Sequence, residues 1–158
     1  MMENKKDNPG VYIPPPLLYV VFFLAALFIQ RKFPINPILF RGHGTKILGI
    51  LLIAFALFFL IRSLKQFFQS KNTLVTVRPA FSLQTNGIYH ITRNPMYLGL
   101  AIVYLGLSCL IGNWWNIILF PFLLLLVQQY IIKNEEKYLE RRFGKEYAEY
   151  RDKVRRWL

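Results

Sequence analysis

Residues 96–132 read MYLGLAIVYLGLSCLIGNWWNIILFPFLLLLVQQYII, without one Asp, Glu, Lys or Arg. A helix that crosses the hydrocarbon layer needs ~20 apolar residues, with ~17 to 25 as the usual range. The stretch is long enough for two crossings. Gly112 and Asn113 interrupt it, and Trp114 and Trp115 stand beside them, where amphipathic rings favour a membrane interface. This predicts a tight helical hairpin with spans at about 96–112 and 114–132. Pro121 should bend the second of them.

Two further apolar blocks precede the hairpin. The first covers about 14–30, and Pro14, Pro15 and Pro16 suit its start, because a first helical turn has no internal use for their missing N–H groups. Its length is that of a signal-peptide core, but Gln30, Arg31 and Lys32 follow where a small-residue cleavage site would stand, so it reads as retained. The second block covers about 46–62, bounded by Lys46 and Arg62, whose stems can snorkel to headgroups. With 54% hydrophobic and 16% aromatic residues in blocks, the expected fold is an all-α integral membrane protein of about four transmembrane helices. It forms a single domain over 1–158.

Basic residues set the expected orientation. The segment before the first span carries 2, the first loop 4, the second loop (from Arg62) 5, the hairpin turn 0 and the C-terminal segment 9. Four spans therefore leave 16 on the side of both termini and 4 on the other, and the positive-inside rule makes the richer side cytoplasmic. The polar segments Ser63–Pro95 and Lys133–Leu158 then share that face. The net charge of +12 flanks apolar blocks, which points to a bilayer with anionic headgroups as partner and not to nucleic acid. Cys109 is the sole cysteine, and His43 and His90 stand in no recognised metal spacing, so no metal is expected.

Chemistry must then lie in the two polar segments. In the first, Asn86-Gly87 signals a turn, and Pro95 pushes Asn94 out of helical geometry. Arg93 and Asn94 stand at the mouth of the third span, where Gly99 permits close approach of a helix or ligand. A plain pre-helix turn with a snorkelling Arg fits the local physics equally well. In the second segment, Leu139, Phe143, Tyr147, Tyr150, Val154 and Trp157 form one helical face, broken at Gly144. An interfacial amphipathic tail explains most of these residues, but not Glu135-Glu136, which lack cations four residues on and suit a sulfonium or ammonium ligand. Gln128 and Gln129, late in the fourth span, should turn at least one amide to the bundle or a substrate groove, because an unpaired amide in hydrocarbon costs several kcal/mol. Equally, both can reach water at the interface.

The ordered set Gly87-Ile88-Tyr89, Arg93-Asn94-Pro95-Met96-Tyr97-Leu98-Gly99, Glu135-Glu136 and Phe143-Gly144-Lys145-Glu146-Tyr147-Ala148-Glu149-Tyr150 resembles the isoprenylcysteine carboxyl methyltransferase family and its bacterial relatives. The resemblance covers roughly Phe81 to Trp157. It implies an S-adenosyl-L-methionine-dependent membrane methyltransferase of the bacterial inner membrane, both termini cytoplasmic. Its cofactor site would form where the cytoplasmic loop, the hairpin and the C-terminal helices of 133–158 meet. By position, Phe81, Ser82, Leu83 and Gln84 would line it, Tyr89, Asn94, Pro95, Met96 and Tyr97 would hold the adenosine and amino-acid parts, and Glu135 would supply a carboxylate. Gln128, Gln129 and Lys133 are the candidates for contact with a hydrophobic or amphipathic acceptor. The sequence departs from the family at Asn94, where the motif has His, and at Ile131, where isoprenylcysteine enzymes place an Arg; Lys133 is the nearest cation. The acceptor therefore stays open among carboxylate, thiol and amine. Two other classes remain beside this reading, a nicotinamide-dependent sterol-type reductase and a non-enzymatic membrane adaptor.

Overall fold

The computed structural model describes residues 9–69 and 82–158. Among them every regular element is helical: α1 (Pro15–Lys32), a 3-10 turn (Ile38–Phe40), α2 (His43–Gln69), a second 3-10 turn (Gly87–His90), α3 (Pro95–Ile111), α4 (Trp114–Leu126), a π-helical turn (Val127–Ile132), α5 (Lys133–Phe143) and α6 (Lys145–Lys153). α1, α2 and the continuous helix Trp114–Phe143 are long and apolar enough to cross a membrane, and α3 is apolar but shorter at 17 residues. Pro15 and Pro95 open α1 and α3, where no donor is lost.

Two boundaries differ from the sequence reading. α2 runs to Gln69, so Ser63–Gln69 is helix and not loop. Arg62 and Lys65 end the apolar composition there, but no Gly or Pro ends the helix, and buried Ser63 donates back to the Leu60 carbonyl at 3.1 Å. The fourth span does not stop at Ile132 either, since the π-helical turn passes straight into α5. Pro121 lies inside α4 without ending it.

The hairpin turn forms as its residues dictate. Gly112 sits at φ 72°, ψ 48°, a left-handed close to α3 that favours glycine. The Asn113 side chain then caps α4 by accepting from the Trp115 N–H at 2.9 Å. Trp115 Nε1 donates to the Phe33 carbonyl at 2.8 Å, and the Trp114 ring meets Phe40 edge-on at 4.9 Å. These contacts tie the end of α1 to the hairpin.

Small residues bring α2 and α3 together. A Cβ on Gly106 would stand 2.9 Å from the Gly49 carbonyl oxygen, and one on Gly99 would stand 2.7 Å from Leu60 Cγ. Gly99 thus serves a helix contact. Backbones approach where side chains are absent, as in helix packing without a hydrophobic drive. Leu17, Leu24, Phe28, Leu51, Phe55 and Phe122 face outward, while Tyr104, Ser108 and Asn116 are buried, an inside-out polarity that suits a lipid surround. Tyr104 donates to Asn116 Oδ1 at 3.2 Å and Ser108 to the Tyr104 carbonyl at 2.6 Å, whereas the buried Asn113 and Asn116 amide nitrogens find no partner among the described residues.

Tyr19, near the start of α1, donates to the Tyr97 carbonyl at the start of α3. The starts of α1 and α3 and the ends of α2 and α4 therefore share one end of the bundle. The loop before α3, α5 and α6 gather there.

Candidate functional site

The site is assembled by three segments that meet at that end: the approach to α3, the first turn of α5 and the chain after α6. Thr92 and Asn94 both bind the Arg156 carbonyl, Thr92 Oγ1 at 3.1 Å and Asn94 Nδ2 at 2.9 Å, and the Arg93 N–H binds the Arg155 carbonyl at 3.0 Å. The short polar side chains that Pro95 holds out of the helix thus strap the C-terminal residues across the loop. Asn94 also donates its own N–H to Thr92 Oγ1 at 3.2 Å. Its amide is engaged with protein, so Asn94 shapes the site.

The two adjacent glutamates separate in role. Glu136 is met by two guanidinium groups: Arg156 Nε and Nη2 donate to its two oxygens at 2.9 and 2.6 Å, and Arg93 Nη1 lies 3.3 Å from Oε1. The side chains are 10% (Arg93), 16% (Glu136) and 30% (Arg156) exposed, so this is a partly desolvated cluster and not a surface pair. The hydrogen bond to Glu136 pushes the Arg156 pKa up further, and Arg93 Nη1 also donates to Tyr147 Oη at 3.3 Å. Glu136 is thus an internal counterion. Adjacent helical residues diverge by ~100°, which turns Glu135 the other way. Tyr97 Oη donates to Glu135 Oε1 at 2.6 Å. Among the described residues, no cation pairs with Glu135.

Tyr89 completes the set. Its ring is buried with Phe59, Leu98, Tyr147, Tyr150 and Val154, its carbonyl accepts from Tyr150 Oη at 2.6 Å, and its own hydroxyl is buried without a partner among the described residues. Burial first, then Tyr150 and Glu135, push the Tyr89 phenol well above the ordinary range. A buried hydroxyl with no partner costs ~1 to 3 kcal/mol. Glu135 with one neutral donor, Tyr89 Oη with none, and the Tyr97 ring therefore offer a negative, hydrogen-bonding, aromatic environment. These residues fit a cationic ligand with hydrogen-bonding arms, as S-adenosylmethionine is.

The other candidates spread around this point. Pro95 is buried at the start of α3 and Met96 is half-buried beside it. Gln84 donates to Ser82 Oγ at 2.9 Å, Leu83 packs on the cluster around Tyr89, and Phe81 lies outside the described residues. Gln128 accepts from Trp157 Nε1 at 3.2 Å, whereas Gln129 and Lys133 are exposed. Ile131 is fully buried in the apolar cluster of Tyr19, Tyr97, Val127 and Ile132. Sequence reasoning missed Tyr19, Thr92 and Arg156. A phenol hydroxyl among the aliphatic and Phe side chains of the first span was the available signal for Tyr19. Arg156 acts through its carbonyl and a distant acid, for which composition holds no signal.

Residues 45–146, more than half of the chain, match the family described as phospholipid methyltransferase. An uncharacterised protein of Haemophilus influenzae is 44% identical over 66 residues, which is 40% of this chain and the whole of that relative. The protein-S-isoprenylcysteine O-methyltransferases of Schizosaccharomyces pombe and Saccharomyces cerevisiae are 42% and 38% identical over 72 residues, 46% of this chain. The match spans 30% of the length of each yeast protein. No solved structure matches the chain. With the family match extending from α2 into α6, and the isoprenylcysteine-type relatives beside it, the chain belongs to the phospholipid methyltransferase family of membrane methyltransferases.

Proposed function

We propose that the protein transfers the methyl group of S-adenosylmethionine to a lipid-like or membrane-accessible acceptor at the cytoplasmic face. It works as one four-span domain of the bacterial inner membrane, with both termini cytoplasmic. The observation that carries this is that, among the described residues, Glu135 meets only the Tyr97 hydroxyl and the buried Tyr89 hydroxyl has no partner. When bound, the donor supplies an already activated methyl: a lone pair on the acceptor forms the new bond to carbon as the carbon–sulfur bond breaks, and its electrons return to sulfur.

The chain's own contribution is binding and alignment. Glu135 meets positive charge, and Tyr97 holds that carboxylate in one direction. Tyr19, reaching across from α1, fixes the backbone at Tyr97. Tyr89 Oη gives the hydrogen bond it does not spend on protein. The strap from Val154 to Trp157 covers the loop and keeps water out. Orientation and exclusion of water suffice for an in-line displacement whose leaving group is a neutral thioether.

Acceptors enter from the bilayer side, and Gln128, Gln129 and Lys133 are the polar residues at that boundary. Labelled-methyl transfer on native membrane extracts separates the acceptor classes, because a methyl ester is released by mild base and a methyl thioether or methylamine is not. Calorimetry with S-adenosylmethionine, S-adenosylhomocysteine and NADPH tests the reading itself. The first two should bind and NADPH should not. Binding of NADPH alone would favour the reductase, and binding of none of them the adaptor.

A further inference from the structure

The outward face of the long α4–α5 helix changes character once along its length. Phe122 and Leu125 stand exposed at 60% and 55%. Gln129, Lys133, Lys137 and Arg141 continue the same line at spacings of four, and all four are exposed. In α5, residues four apart advance only ~40° around the axis, so these three cations form one narrow stripe. The stripe makes no ion pair among the described residues. The nearby carboxylates are engaged elsewhere, Glu136 by Arg93 and Arg156 and Glu140 by Arg151 at 2.9 Å.

We infer that this face is a seat for one anionic phospholipid, with acyl chains along Phe122 and Leu125 and its phosphate against Lys133, Lys137 and Arg141. The match is of order as well as of charge. Reading up the helix, apolar, amide and cationic side chains follow the sequence of tail, glycerol ester and phosphate in a lipid. The cations begin where the apolar run ends, at the level where headgroups lie. They also occur at the end of the bundle where both polar segments gather. Glu135 points away from the stripe toward Tyr97, so the seat lies off the carboxylate of the candidate methyl-transfer site and shares with that site only Gln129 and Lys133 at the bilayer boundary.

The test uses the full chain in nanodiscs of phosphatidylcholine with a minor fraction of phosphatidylglycerol, with lipid retained after gentle extraction counted by native mass spectrometry. Each cation near an anionic surface is worth roughly fivefold in partitioning. The triple variant Lys133→Gln/Lys137→Gln/Arg141→Gln should therefore lose most of the phosphatidylglycerol enrichment, by about a hundredfold if the three act together. The conservative triple Lys133→Arg/Lys137→Arg/Arg141→Lys should keep it, which separates charge from misfolding. A second triple at exposed cations of the opposite end, Arg31→Gln/Lys32→Gln/Arg41→Gln, should also keep it. Equal retention of both lipids by the unmodified protein, or equal loss in the two neutralised triples, would overturn the proposal.

Discussion

Replacing each of the two adjacent glutamates by glutamine separates a ligand contact from a structural counterion. In Glu135→Gln the Tyr97 hydroxyl still finds an acceptor, because the amide oxygen can take the place of Oε1 at 2.6 Å. What disappears is a carboxyl that burial pushes up to about 7 and that no cation of the chain balances among the described residues, so the fold should lose little or nothing. Binding should suffer. A charge-assisted hydrogen bond in a partly desolvated site is worth ~1.5 to 3 kcal/mol, about ten- to a hundredfold in affinity for S-adenosylmethionine. Glu136→Gln should do the reverse. It leaves Arg93 and Arg156 facing each other across a neutral amide, in a cluster whose side chains are 10% to 30% exposed. Breaking a buried pair costs ~3 to 5 kcal/mol, and the residual exposure of Arg156 brings this nearer ~2 to 3. The melting transition should fall by roughly 5–10 °C. The assay is paired: titration calorimetry with S-adenosylmethionine and with S-adenosylhomocysteine, and thermal unfolding in the same detergent. The homocysteine product lacks the sulfonium charge, so Glu135→Gln should weaken it less than the substrate. Equal and small effects of the two substitutions on affinity, or a Glu135→Gln variant that loses stability while binding normally, would refute the assignment of Glu135.

Tyr89→Phe removes a buried hydroxyl without a partner among the described residues, so unfolding should be unchanged or slightly later while S-adenosylmethionine affinity drops several-fold; loss of stability without loss of affinity would make the residue purely structural. Gly106→Val places a side chain where even a Cβ would stand 2.9 Å from the Gly49 carbonyl oxygen, and should greatly lower the yield of folded protein in detergent, whereas Ile111→Val at the exposed end of α3 should not. On a Cys109→Ser background, a cysteine at exposed Asn86 should react with impermeant maleimide only from the cytoplasmic side, as the distribution of 16 against 4 basic residues requires; labelling from the periplasm would reverse the orientation.

The membrane fold was legible because its signals are local. An uncharged run of 37 residues broken at Gly112-Asn113 has few alternatives to a helical hairpin, and the turn adopts the left-handed glycine and asparagine cap that those two residue types favour. The break at Gly144, at φ 51°, follows from the same logic. Where the reading fell short, composition and backbone had parted. Arg62 and Lys65 stop a hydrophobic run, but both are good helix formers, so α2 continues to Gln69. The π-helical turn at Val127–Ile132 had no such marker. It holds neither Gly nor Pro, and its buried Val127, Ile131 and Ile132 pack in one cluster with Tyr19 of α1 and Tyr97, Ala101 and Tyr104 of α3.

The site was legible as chemistry and not as pairing. A Glu-Glu pair that helix spacing cannot neutralise demands a distant cation or a ligand; Glu136 has its cations, and Glu135 meets the Tyr97 hydroxyl and no cation among the described residues. The choice between them depends on contacts 38 residues apart for Tyr97 and Glu135 and 20 residues apart for Glu136 and Arg156, which only the fold can bring together. The same holds for Asn94. Position in a motif offered it as a ligand contact; its Nδ2 donates to the Arg156 carbonyl, an acceptor that Thr92 shares. Around this end of the bundle Tyr150 serves the Tyr89 carbonyl, Tyr147 meets Arg93 Nη1 and Trp157 meets Gln128, while Arg93 Nε and Tyr89 Oη stay without a partner among the described residues. Against that background, a buried carboxyl held by one neutral tyrosine and a buried hydroxyl without a partner among the described residues are costs that a cationic, hydrogen-bonding ligand would relieve, which is why Glu135 and Tyr89 are the residues to mutate first.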